Sequence, residues 1–209
     1  MSELTRQQRI RCMIALIAAL AVVSITSSLN WPILSEALRN QGYSESMIGI
    51  NAAAQFAGII VVALAAPRII PALGFFKAIV LGLVVVAVML IALPTFRSFE
   101  TWLVIRFLLG MGNSLLFTAG DTWMNQIVDD RVRGRWMGIY VTAGMAGWAV
   151  GPLLGAYLDP DTYWPFVWGL VAIVVTAGFL LPTRKLDMKL KVSEQGVALG
   201  LAAVFFAAP

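Results

Sequence analysis

The sequence predicts an all-α membrane protein with six transmembrane helices and its N-terminus in the cytoplasm. Three observations lead there. Hydrophobic residues make up 60% of the 209-residue chain and charged residues 12%, with mean hydropathy +0.85. Soluble domains are closer to half apolar and a quarter charged. Apolar runs of about 20 residues, enough for a helix to cross a bilayer, recur six times. Lysines and arginines gather in alternate connections between those runs, the asymmetry by which membrane proteins are oriented.

The first span is expected over residues 12–34. Arg6, Arg9 and Arg11 precede it as in a signal peptide, but the run is too long for one and lacks a small-x-small cleavage pattern. Further spans are expected over 47–66, 75–94, 101–128, 137–158 and 163–182. Turn and breaker residues punctuate them: Asn40-Gln41-Gly42, Pro67 with Pro71, Pro94, Arg133-Gly134 and Asp159-Pro160. Residues 1–182 thus form one six-helix domain. Residues 183–196 read as a basic cytoplasmic linker. Residues 197–209 read as the start of a seventh helix, since the closing run GVALGLAAVFFAAP is too short to span.

The charge count orients these spans. Arg6, Arg9 and Arg11, Arg68 and Lys77, Arg131, Arg133 and Arg135, and Arg184, Lys185, Lys189 and Lys191 fall on one side; only Arg39 and Arg97 fall on the other. The positive side is the cytoplasmic one, so the chain is expected as a multi-pass protein of the plasma membrane. Trp31, Trp102, Trp164 and Trp168 then fall near the outer interface, where amphipathic rings settle.

Several functions lack their parts. The chain has no histidine and a single cysteine, Cys12. It can build neither a disulfide, nor a usual zinc site, nor a Ser-His-Asp triad, so no enzyme, metal or cofactor is expected. Its net charge of +4 comes from residues scattered between apolar spans, which argues against nucleic acid. What remains is a pair of ionisable groups inside the fourth span. Arg106 and Asp121 lie 15 residues apart, ~22 Å along a helix and about 60° apart around it. With Gly110, Asn113 and Phe117 they form a partly polar stripe. Charges in hydrocarbon are tolerated where they line a polar cavity or find partners. The plainer alternatives are that Arg106 snorkels to the interface and that Asp121 caps the arginine-rich loop. In the fifth span Gly144, Gly147, Gly151 and Gly155 accompany Pro152, a spacing that lets helix backbones approach closely and permits a bend.

These motifs resemble the major facilitator superfamily. Arg106-x-x-x-Gly110-x-Gly112 is similar to its fourth-helix motif, Arg133-Gly134-Arg135 to the basic loop that follows, and Gly147-x-x-x-Gly151-Pro152-x-x-Gly155 to the fifth-helix motif of its proton-coupled antiporters. The loop between helices two and three departs from the family pattern. In PRIIPALGFFK, Gly74 and Lys77 remain, but Pro71 stands where an acidic residue is expected, so the usual charge lock cannot form.

The resemblance implies two inverted three-helix repeats forming half of a twelve-helix transporter. Small residues in both middle helices, with Ala52, Ala53, Ala54, Ala57 and Gly58 in the second, agree with a repeat. It further implies transport of a small molecule by alternating access, proton-coupled and efflux-like. Arg106, Asp121, Asn113, Asn30, Asn51 and Gln55 would line the pathway, Asp121 as proton carrier and Arg106 facing an anionic group. Ser24, Ser27 and Ser28 read better as interhelical hydrogen-bonding groups. The implied partners are the lipid bilayer, a small-molecule substrate, protons, and a missing C-terminal half or a second half-transporter. The alternatives are an inactive fragment or a six-helix membrane scaffold that transports nothing.

Overall fold

The computed structural model describes residues 5–159 and 162–184. It contains six long helices among the described residues: α1 (Arg6–Asn40), α2 (Glu45–Leu73), α3 (Phe75–Thr95), α4 (Phe99–Ile127), α5 (Arg133–Gly155) and α6 (Trp164–Leu180). Each is long and apolar enough to cross a membrane. Most of the expected linker and all of the expected seventh-helix start lie outside the described residues.

Local chemistry sets the ends. Thr5 and Gln8 open α1 with reciprocal side-chain-to-backbone hydrogen bonds, a capping box. The side chains of Ser44 and Ser98 accept from Met47 N–H and Thr101 N–H at the starts of α2 and α4, satisfying amides that have no intrahelical partner. Gly42 (φ 85°) follows α1, and Gly74 (φ 84°, ψ 160°) alone joins α2 to α3. These are backbone conformations that favour glycine.

Several expected boundaries move: α1 runs over Arg6–Asn40 and not 12–34, α5 ends at Gly155 and not 158, and Pro94 lies inside α3. Pro67 and Pro71 do not end the second helix; both lie inside α2, which continues to Leu73. A proline costs a helix one backbone hydrogen bond, which packed membrane helices tolerate, and Gly74 supplies the stop. Arg133, Gly134 and Arg135 are not in a loop but form the first turn of α5, preceded by a short turn, Asp130–Val132.

The packing pairs α1 with α5 and α2 with α4, while α3 lies against α4 and α6 against α1. Exchanging the first triplet for the second (α1 for α4, α2 for α5, α3 for α6) reproduces the same contacts. This is an inverted three-helix repeat. The central α1 and α4 are the most buried helices, and α2, α3, α5 and α6 turn apolar faces outward, including Leu64, Val84, Leu153 and Val174. An apolar exterior around a polar-containing centre suits lipid rather than water.

Glycines set the two main contacts. A Cβ on Gly147 would come within 2.7 Å of Ala21 O and Ser24 Cβ, and one on Gly151 would strike Ser28 Oγ. Gly144 and Gly155 face Leu20 and the Leu29–Pro32 turn. On the other side a Cβ on Gly58 would strike the Phe107 carbonyl, and one on Gly110 the Gln55 carbonyl. Gly112 fits against Val85 and Val86 of α3. The paired glycines of the fourth-helix motif thus serve two different neighbours.

Candidate functional site

Three of the polar residues meet at one level. Gly110 packs between Gln55 and Ile59 of α2, which runs parallel to α4. Arg106, one turn before Gly110, therefore falls between the levels of Asn51 and Gln55. All three are buried, Arg106 at 2% exposure. Arg106 Nε and both polar side-chain atoms of Asn51 have no hydrogen-bond partner, and no carboxylate pairs with Arg106 among the described residues. Arg106 therefore does not snorkel outward. Arg106 Nε and the Asn51 amide are thus buried at one level of the bundle with hydrogen-bonding capacity unspent. Such groups cost free energy unless water, an ion or a ligand reaches them.

Asn113 is tied elsewhere. Its Oδ1 accepts from the Ser27 hydroxyl of α1 at 3.3 Å, closing the contact between the two central helices. Thr26, Ser27, Asn113 and Thr176 border a small cavity between α1, α3, α4 and α6. Asn30 donates to Thr26 O at 2.7 Å and leaves its Oδ1 unpartnered. Ser28 donates to Gly147 O and Ile25 O, while Ser24 Oγ has no partner. Pro152 sits beside this seam, inside α5.

Asp121 lies toward the other end of α4. Its Oδ1 accepts from the Tyr140 hydroxyl of α5 at 2.7 Å, and its backbone carbonyl accepts from Asn125 Nδ2. It does not cap the arginine-rich turn, where Arg133 pairs with Asp130 at 2.5 Å and Asp129 accepts from Arg131 N–H. Both acidic residues of that turn are engaged locally. Lys77 is exposed on the first turn of α3. Phe75 of α3 stacks on Trp123 of α4, with centroids 5.9 Å apart and ring planes 13° apart.

Two partners were not foreseen from the sequence. Tyr140 is the hydrogen-bond donor to Asp121; a hydroxyl-bearing ring near the start of the glycine-rich span was the available signal. Trp31 does not stand alone at an interface; it meets Phe56 and Trp148 edge-on at 5.2 and 5.8 Å. Trp102 is also turned inward, its Nε1 donating to Leu93 O and Phe96 O, whereas Trp164 and Trp168 are exposed.

Six apolar spans in two inverted triplets define a multi-pass integral membrane protein. The chain belongs to the major facilitator superfamily, whose family model matches residues 16–208. It is 23% identical over 152 residues to an uncharacterized MFS-type transporter of Bacillus subtilis (strain 168), YfkF, covering 73% of this chain and 39% of that protein. Its fold is similar to the crystal structure of the human organic anion transporter MFSD10 (TETRAN), with TM-score 0.69, 18% identity, and coverage of 83% of this chain and 47% of that one. The chain thus spans under half the length of both relatives. The family is one of transporters rather than enzymes.

Proposed function

We propose that this six-helix unit forms one wall of a proton-coupled transporter that moves a small organic molecule by alternating access, in the efflux direction. The observation that carries this reading is the enclosed cation on α4: Arg106 is 2% exposed with no anionic partner among the described residues. A buried guanidinium with donors to spare suits a transient anionic group, on a substrate or on a facing carboxylate. Asp121, in the other half of the same helix, is the proton carrier in this reading. Asn51 and Gln55 flank the cation, and Asn30 and Asn113 extend polarity along α1 and α4. The glycine seam of Gly144, Gly147, Gly151 and Gly155 with Pro152 is the surface on which α5 shifts against α1. A second six-helix half, from a longer chain or a partner, supplies the opposite wall. Gly74, Lys77 and the first turn of α5, with Arg133, Gly134 and Arg135, lie on the cytoplasmic side.

The test is flux in proteoliposomes containing this unit together with a second half. An imposed pH gradient is expected to drive accumulation of at least one small organic anion from a panel. Asp121→Asn is expected to remove the dependence on the gradient. Gradient-driven transport at full rate by Asp121→Asn would refute the carrier role.

A further inference from the structure

Tyr140 has no role in the transport reading so far, yet its placement is specific. It lies on α5, a helix that packs on α1 and barely touches α4. Its hydroxyl nevertheless crosses to α4 and donates to Asp121 Oδ1 at 2.7 Å. The ring is 3% exposed and borders a small apolar cavity with Leu16, Leu20, Ile79, Gly120 and Leu180. Gly120 clears the way: a Cβ there would stand 3.3 Å from Tyr140 Oη.

We infer that Tyr140 is the positioning residue for the Asp121 carboxyl group, and that their hydrogen bond is a proton-sensitive clasp between α4 and α5. The inference rests on Asp121 being the proton carrier. A hydrogen bond to a carboxylate is roughly twice as strong as one between neutral groups. The clasp is therefore tight while Asp121 is ionised and loosens when it takes a proton. With few other contacts between α4 and α5, loosening leaves α5 held mainly by its glycine seam to α1. The surroundings add no competing ion. The cavity wall on α1, α3 and α6 is apolar apart from Thr176, whose hydroxyl donates to Ala172 O, and the formal charges on neighbouring elements (Arg9 and Arg11 of α1, Lys77 of α3, Arg131, Arg133 and Arg135 at the start of α5, Arg184 after α6) sit at helix ends and turns.

The probe is dicyclohexylcarbodiimide, which modifies protonated carboxyl groups in apolar surroundings, applied to the full chain in liposomes. Modification of Asp121 is read by mass spectrometry as a function of pH. Donation to a carboxylate favours its charged form, so Tyr140→Phe is expected to move the labelling profile to higher pH by about one unit. Gly120→Ala, which crowds the hydroxyl without removing it, is expected to shift the profile the same way by less. Unchanged profiles in both variants would overturn the positioning role. Failure of the underlying carrier reading gives a different result: Asp121 in the unsubstituted protein stays unlabelled at every pH.

Discussion

At the scale of single residues, the chain separates its two intramembrane charges by the company they keep. Asp121 has a dedicated donor, whereas Arg106 Nε and the Asn51 amide are buried with hydrogen-bonding capacity unspent. If Arg106 serves a transient anion, Arg106→Ala is expected to cost at least tenfold in transport, about 1.4 kcal/mol, at normal expression. Arg106→Lys keeps the charge but not the planar fork and is expected to recover only part of the loss. Rates in proteoliposomes decide, and full activity in Arg106→Ala refutes the role. The Ser27–Asn113 bond, by contrast, ties α1 to α4. Ser27→Ala and Asn113→Ala are expected to be non-additive in unfolding free energy by about 0.6 kcal/mol, the usual coupling between membrane helices. Strict additivity would show that the pair contributes nothing.

At the scale of elements, the glycines make their own prediction. Gly151 faces the Ser28 side chain as well as the Ile25 carbonyl, while Gly110 and Gly58 face backbone atoms alone. A side chain can be trimmed and a carbonyl cannot. Gly151→Ala is expected to lower stability in detergent by about 1–3 kcal/mol, the usual cost of overpacking, and Ser28→Ala to restore part of it. Gly110→Ala is expected to cost at least as much, with no side-chain change on α2 able to rescue it. Gly138→Ala meets open space and is expected to be neutral or stabilising by up to about 1 kcal/mol from helix propensity. Equal losses at Gly138 and Gly151 in thermal unfolding would show that the seam is not selective. The elements themselves were legible in the sequence because a spanning helix needs only length and apolarity, and the order of its spans survives intact. Their ends were less so. Pro67 and Pro71 read as breakers because proline weighs most in isolation, yet in α2 the neighbouring helices hold the chain in register. The partners of the site were the hardest to read. Nothing local links Asp121 to Tyr140 across 19 residues, or shows that Gly110 faces Gln55 and not a cavity; those facts arise from the packing of separate triplets.

At the scale of the whole molecule, orientation follows from a single asymmetry. The first turns of α1, α3 and α5 lie at one end of the bundle with Arg6, Arg9, Lys77, Arg133 and Arg135, and the α1–α2 and α3–α4 connections lie at the other with Arg39 and Arg97. At that second end Arg39 pairs with Glu36 and Glu45, at 2.7 and 3.1 Å. Because short basic connections resist translocation, the end bearing Arg6 and Arg133 is expected to face the cytoplasm. Cys12, the chain's one cysteine, is buried, so a Cys12→Ser background suits labelling from outside the cell. Gln41→Cys, exposed between α1 and α2, is expected to react with a membrane-impermeant maleimide on intact cells. Arg131→Cys, exposed before α5, is expected to react only after the membrane is opened. The reverse pattern would invert the bundle, placing Asp121 and its Tyr140 clasp toward the outside and Arg106 toward the cytoplasm. A proton taken up from the outer medium would then reach Asp121 without passing the level of Arg106, and the efflux direction proposed for this unit would have to be abandoned.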